Sequence, residues 1–396
     1  MSQTTFVQSP SRMQVVYVGQ DFPTSFSKSI MLVGPTPREA YVPSWRPEAL
    51  RILENLGYDG VVFVPEVEHN TWNRSYEVQI ETEERMLHTA DCIVCWIPRE
   101  LSTMPAFTTN DEYGTWKYSG KIVFGAPLGT PKVNYQRYYA DKLSIPSHTT
   151  LEATLTSAIE RLGQGALRSE GECQVPLHIW QTTSFQEWYQ NLRDAGNRLD
   201  GARVEWVFRV GPKKNFVFCW ILHVDIYIAS EDRHKTNEVV IARPNIATVV
   251  AYRHGTTLLD TEVVLIKEFR SPVSNSRGFV YEVPGGSSFK PGGNPKELAA
   301  NECGEETGLR IDASRMCQHE SRQLVATLLT HHAHLFSVEL TESEITELHG
   351  MAGVAHGVEE DSERTYVEVK KLSEIMRDDS CVDWSMLGMI LSVVMK

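Results

Sequence analysis

A chain of 396 residues is longer than one ordinary core needs, and with 41% hydrophobic and 22% charged residues it has the make-up of a soluble globular protein of two domains. A formal net charge of −13 repels nucleic acid and anionic membrane, which excludes non-specific binding to either. Seven scattered cysteines, a polar N-terminus and no apolar run of membrane-spanning length point to a reducing, cytoplasmic setting.

Strands and helices alternate in the first half. "SIMLVGP" reads as a buried strand running into a Gly-Pro turn, and "RPEALRILENLGY" as an amphipathic helix stopped at Gly57. "GVVFVPE" is a second strand, "VQIETEERMLHTA" a helix, "DCIVCWIP" a third strand, "GKIVFGAP" a fourth and "TLEATLTSAIERLG" a closing helix. Continuous apolar strands separated by helices imply a mainly parallel sheet covered on both faces, with ligands beyond the carboxyl ends of its strands. Cys92 and Cys95 form a CxxC inside the third strand; no second pair completes a zinc site, so a packing role is expected. "VPSWRPE" offers Trp45 to stack on a base and Arg46 for a phosphate, or else a plain turn.

"PAFTTNDEYGTWKYSGKIVFGAP" places a helix after a polar loop, with Glu112, Gly114 and Trp116 near its start. This stretch, together with Gly34 and Pro35 after the first strand and Asp91 before the third, resembles the divergent branch of the nucleoside 2-deoxyribosyltransferase superfamily. The resemblance implies a Rossmann-like sheet over residues 1–165 and a nucleophilic Glu112 in an N-x-E-x-G stretch beginning at Asn110. A carboxylate there can attack the anomeric carbon of a nucleoside as the base departs, with Asp91, Asp111 or Asn110 assisting the leaving base. The structural alternative is that Glu112 interacts with helix N-terminal amides and the domain only binds a nucleotide.

"QGALRSEGECQVP" is small, polar and aperiodic, which makes residues 166–176 the expected linker. Beyond it "ARVEWVFRV", "NFVFCWILHVDIYIAS", "NEVVIARPNIATVVAYRH" and "TEVVLIKEFRSP" are strand-like, so residues 177–396 are expected to form an α+β domain with a β-rich N-terminal extension over 177–245. His331 and His332 of "HHAH" are adjacent and point different ways along a strand, which argues against a shared metal. "MLGMILSVVM" suits a packed terminal helix.

The segment "NPKELAANECGEETGL" gathers Glu297, Glu302, Glu305 and Glu306 with only Lys296 to offset them. Capped by Asn294, with Pro295 at its first position, a helix over 295–306 brings Glu302, Glu305 and Glu306 to one side, a set of oxygen ligands suited to Mg²⁺ or Mn²⁺ and hence to a phosphate substrate. "VPGGSSFKPGGNPKELAANECGEETGL" resembles the signature of Nudix hydrolases, which implies Mg²⁺-dependent attack of water on a nucleoside diphosphate linked to another moiety. Two positions depart from that signature: Asn301 stands where Arg is usual, and Gly293 where its first Glu belongs. "VVLIKEFRSPVSNSRGFVYEVPGG" resembles the ADP-ribose and nucleotide-sugar pyrophosphatase group, which implies that Arg270 helps hold substrate and that Glu282 joins it or the metal. "GVEEDSERTYVEV" extends that resemblance, which implies that Glu360, or else Glu359 or Glu363, completes the metal site or supplies a base. Members of this group often dimerise through the N-terminal extension, so a homodimer or higher homo-oligomer is expected. Together the halves imply a bifunctional enzyme acting on small-molecule nucleotides; a nucleotide sensor and a nucleotide-depleting effector are the alternatives.

Overall fold

The computed structural model describes residues 13–39, 41–68, 75–287, 292–357, 364–377 and 381–396. They form two compact units, Met1–Val240 and Ile241–Lys396.

The first unit is built on a parallel six-stranded sheet: β1 (Gln14–Tyr17), β2 (Ser29–Val33), β3 (Val61–Val64), β4 (Cys92–Trp96), β5 (Ile122–Gly125) and β6 (Ser147–His148). Their spatial order is β1-β3-β2-β4-β5-β6, and every neighbouring pair is parallel. Alternation along each strand feeds two cores. Met31, Phe63, Ile93 and Phe124 meet α2 (Tyr76–Thr89), α3 (Phe107–Trp116) and α4 (Asn134–Lys142) through Met86, Tyr113 and Ala140. Leu32, Val62, Val94 and Val123 meet α1 (Arg46–Asn55) and α5 (Leu151–Leu162) through Ala49, Leu53, Leu155 and Ala158. Cys92 and Cys95 fall in different cores because three residues along a strand reverse the face, so the CxxC cannot close on itself. Burial pushes the Cys92 thiol up to about 12, that of an inert packing residue.

The expected linker is packed. Arg168 is fully buried and clasps Asp91 through two hydrogen bonds, Nη1 to Oδ1 at 2.7 Å and Nη2 to Oδ2 at 2.6 Å. Leu177 N–H donates to the same carboxylate at 2.8 Å. These ties hold residues 166–177 to the amino end of β4, within the unit Met1–Val240. The segment expected to be β-rich starts with a single helical turn (Leu177–Trp180) and a longer helix, α6 (Thr183–Asp194), before the long strands β7 (Arg198–Val210) and β8 (Phe216–Ile228) pair antiparallel, with β9 (Arg233–Ala242) beside β8.

The second unit has a mixed sheet that contains β10 (Ile246–Arg253), β11 (Glu262–Phe269), β12 (Phe279–Glu282), β13 (Gly285–Gly286), β14 (His332–Glu339) and β15 (Thr365–Lys371). β10 and β14 are parallel; the pairings of β11 with β10, β12 and β15 are antiparallel. Strand alternation again makes two cores. Val249 and Val264 pack on α7 (Pro295–Thr307) through Ala299 and Cys303, while Val250, Val263 and Leu265 pack with Ile390, Val393 and Val394 of α8 (Trp384–Val394). The ends of α7 are those expected: Asn294 Oδ1 accepts from Lys296 N–H, Pro295 occupies the first turn, and Gly308 closes the helix at φ 75°. No described helix is long and apolar enough to cross a membrane.

Candidate functional site

The strand order reverses at β2 and β4, since the chain leaves β2 toward β3 on one side and β4 toward β5 on the other. A crevice forms beyond the carboxyl ends of strands at such a point. Here it is a cleft of about 750 Å³ lined by Gly34 and Pro35 after β2, Pro65 and Glu66 after β3, and Ala106 and Glu112 after β4. Ala106, which precedes α3, holds φ 60° and ψ 45°, a left-handed conformation that costs a non-glycine residue on the order of 1 kcal/mol or more.

Glu112 stands inside α3 and enters the cleft half-buried. Burial, then the charges of Glu83 and Asp111, push its carboxyl up to about 7 against the opposing pull of Arg46. Glu83, from α2, lines the same cleft; burial raises its pKa too, against a hydrogen bond of 2.8 Å from Gln79 Nε2. Two carboxyls raised by burial in one cleft can divide nucleophile and proton transfer between them. Sequence alone does not single out Glu83, because in "ETEER" nothing distinguishes the inward glutamate from its neighbours.

Other expected residues take different places. Asp91 lies at the amino end of β4, 3% exposed and committed to Arg168, Ser29 and Leu177, so it belongs to the scaffold rather than to the cleft. Asn110 is two residues from Glu112, which on a helix points it to the other side. Its Oδ1 accepts from Arg99 Nη2 and Gln136 Nε2. Trp45 is buried, donates from Nε1 to Pro35 O at 3.2 Å and packs against Gly34, so its ring is not offered to a base. Arg46 is 2% exposed, and its guanidinium donates to Leu32 O, Gly34 O, Thr36 Oγ1 and Glu66 Oε1. It shapes the Gly34–Pro35 loop rather than waiting for a phosphate. Exposed Phe107 and Tyr76 are the aromatic rings that line the cleft, and the Arg38 guanidinium lies 5.2 Å from the Phe107 ring centre.

Gly34 is required by space. A Cβ there would fall 2.2 Å from Trp96 O and 2.7 Å from the Trp45 ring. Gly34→Ala is therefore expected to lower stability by about 1–3 kcal/mol, which a denaturant unfolding curve would read directly.

In the second unit α7 turns Glu302 and Glu306 toward the Gly285–Gly286 strand. The Glu306 carboxylate, 1% exposed, accepts from Gly285 N–H at 2.8 Å, and a Cβ on Gly286 would meet Glu302 Oε1 at 2.5 Å. Glu305 points outward, since one helical step turns it about 100° from Glu306. Arg270 and Glu282 do come together: Nε and Nη2 donate to Glu282 Oε2 at 3.0 and 2.9 Å, and Nη2 lies 2.8 Å from Glu268 Oε2. Burial alone would lower the Arg270 pKa; Glu282, Glu268 and Glu306 outweigh it and raise it. These oxygen donors suit a hard cation in kind. Among the described residues, however, no three His, Cys, Asp or Glu side chains meet as a metal-holding group. Glu359, Glu360 and Glu363 lie outside the described residues.

Comparison with models of known families found no match, and comparison with curated proteins found none. The site's geometry and chemistry therefore carry the functional reading.

Proposed function

We propose that the chain is a bifunctional nucleotide-metabolising enzyme, whose first unit cleaves or transfers the N-glycosidic bond of a nucleoside or nucleotide. The observation that carries this is the Glu112 carboxyl, raised to about 7 beside Glu83 in the cleft at the strand-order reversal. Ionised Glu112 attacks the anomeric carbon; the carbon–nitrogen bond breaks, its electron pair leaves with the base, and the base takes up a proton relayed from solvent by way of Glu83. Water then hydrolyses the glycosyl ester, its proton leaving to solvent by way of Glu83, and Glu112 is released as the carboxylate, unless a second base takes the sugar instead. Phe107 and Tyr76 give the base a surface to stack on, and Arg38 gives a phosphate its counter-charge.

For the second unit we propose Nudix-type hydrolysis of a nucleoside diphosphate linked to another group, of the ADP-ribose or nucleotide-sugar kind. Glu302, Glu305 and Glu306 are its proposed Mg²⁺ or Mn²⁺ ligands, of which Glu302 and Glu306 face the Gly285–Gly286 strand while Glu305 would have to turn inward when the metal binds; Arg270 and Glu282 are its substrate contacts, and Glu360 a further metal ligand or base. A second reading is favoured by Glu306, whose carboxylate is already engaged by Gly285 N–H. On that reading the first unit binds a nucleotide and regulates the second.

The test incubates the full chain and Mg²⁺ with ADP-ribose, nucleotide sugars, NAD, nucleoside triphosphates and deoxynucleoside monophosphates, and reads products by mass spectrometry. Free base that disappears in Glu112→Gln alone supports the glycosidic activity, and nucleoside monophosphate that disappears in Glu306→Gln alone supports the hydrolase. Neither product from the unaltered chain defeats the enzymatic reading for these substrates. Saturable nucleotide binding without turnover then selects the sensor.

A further inference from the structure

The first unit has a second cavity of about 560 Å³, which shares no lining residue with the cleft of Glu112. It sits at the opposite end of the parallel sheet. Asp91 just before β4, Ile122 at the start of β5 and the Leu143–Pro146 turn leading into β6 form one wall, and the β7–β8 hairpin forms another. Fold topology therefore does not account for it, since sites in such sheets gather at the carboxyl ends.

Its charge is out of keeping with the chain. Lys117, Arg161, Arg209, Lys213 and Lys214 line it in a protein whose net charge is −13. Among the described residues Asp91 is the one carboxylate in the lining, and Arg168 already neutralises it. Arg209 Nε and Nη2 are buried without a hydrogen-bond partner, although buried guanidinium donors are costly to leave unmatched. The guanidinium is pressed against Gly120, where a Cβ would lie 2.5 Å from both nitrogens. Burial and then the like charge of Arg161 push the Arg209 pKa down to about 10, and burial with Arg209, Lys121 and Arg161 drives that of His178 well below its usual range. An anion in the cavity would relieve both the repulsion and the unmatched donors.

The hairpin tip also carries strain. Lys213 and Lys214 stand at φ 56° and 50°, two successive non-glycine residues in the left-handed region beside the cavity. Such conformations cluster at ligand clamps. Exposed Tyr118 and Trp206 line the same cavity, each a surface on which a base can stack. Its volume is that of a small-molecule pocket.

We propose that this cavity binds the oligophosphate group of a small-molecule ligand, with Arg209 as the inner anion contact and exposed Arg161, Lys213 and Lys214 as the outer clamp. Paired guanidinium forks suit phosphate oxygens, and ammonium groups at the rim add charge without demanding fixed geometry.

Isothermal titration of the full chain at low salt, with inorganic triphosphate in one arm and ATP in the other, tests the proposal. Saturable binding of triphosphate is expected, weakened by added salt and roughly tenfold or more by K213E/K214E and by Arg209→Met. The lysines are exposed on a hairpin tip, so their variant remains informative where Arg209→Met fails to fold. Equal affinity for triphosphate and ATP identifies a free oligophosphate ligand; tighter ATP binding that Tyr118→Ala or Trp206→Ala removes identifies a nucleotide. No binding in either arm overturns the proposal. So does binding that K213E/K214E leaves intact, binding that Glu112→Gln abolishes, or binding confined to a long polyanion such as an oligonucleotide.

Discussion

Arg168→Ala is expected to destabilise the first unit by about 3–5 kcal/mol, since removing one partner strands the other charge in the interior. The Arg168 and Asp91 side chains are both 0% exposed, and the guanidinium also donates to Val175 O at 2.7 Å. Without Arg168, Asp91 keeps only the Ser29 amide and hydroxyl and the Leu177 amide as donors, at 2.9, 3.1 and 2.8 Å. None of these carries a charge. The pair ties the 166–177 segment to the sheet, so the loss would also loosen the packing of β7 and β8 on the unit. Denaturant unfolding of the full chain measures it. A fall below about 1 kcal/mol would mean that water reaches Asp91 and the pair is not an anchor. Arg168→Met combined with Asp91→Leu removes both charges and should recover much of the loss, because well-packed apolar pairs of similar volume often replace buried ion pairs at little cost.

Glu112→Gln is expected to act in the opposite direction, with an effect that grows as pH rises from about 4 to 7. The folded chain holds this carboxyl at about 7, well above its ordinary range. Between an unfolded value of about 4.3 and the folded value, the folded state keeps a proton that the unfolded chain releases. The site therefore costs nothing below that window, loses stability as pH rises through it, and carries its full penalty above pH 7. That penalty is on the order of 2–3 kcal/mol once partial exposure is allowed for. Glutamine does not titrate, so the variant should be more stable than the parent by that amount at about pH 8 and equal to it near pH 4. Thermal unfolding across that range reads the difference. A constant offset at all pH values would show that Glu112 is not raised and that the change is one of packing. The same titration sets the acid limb of base release, which should fall as pH drops through about 7 and the nucleophile becomes protonated.

The elements that local chemistry specifies were legible in the residues themselves. Four apolar strands fall where "SIMLVGP", "GVVFVPE", "DCIVCWIP" and "GKIVFGAP" place them, and α7 starts at Pro295 and stops at Gly308. Cap chemistry and hydrophobic period act within a few residues, so they survive without knowledge of the fold. Edge strand β1 and α4 carry no such local signal, the first being a run of four residues and the second, "NYQRYYADK", lacking an apolar stripe.

The partners of charged side chains were decided only by the tertiary structure. Asp91 belongs with Arg168, 77 residues away, and Arg46 with Glu66, 20 residues away, and no local pattern marks either match. The same holds for Glu112, whose neighbour Glu83 comes from another helix across the cleft, and for Glu305 and Glu306, which adjacent helical positions turn outward and inward. A carboxylate can be recognised from the sequence as available for chemistry. Whether it becomes an anchor, a raised acid or a surface charge depends on which distant residue the sheet brings beside it, because burial and neighbouring charge, not identity, set its energy.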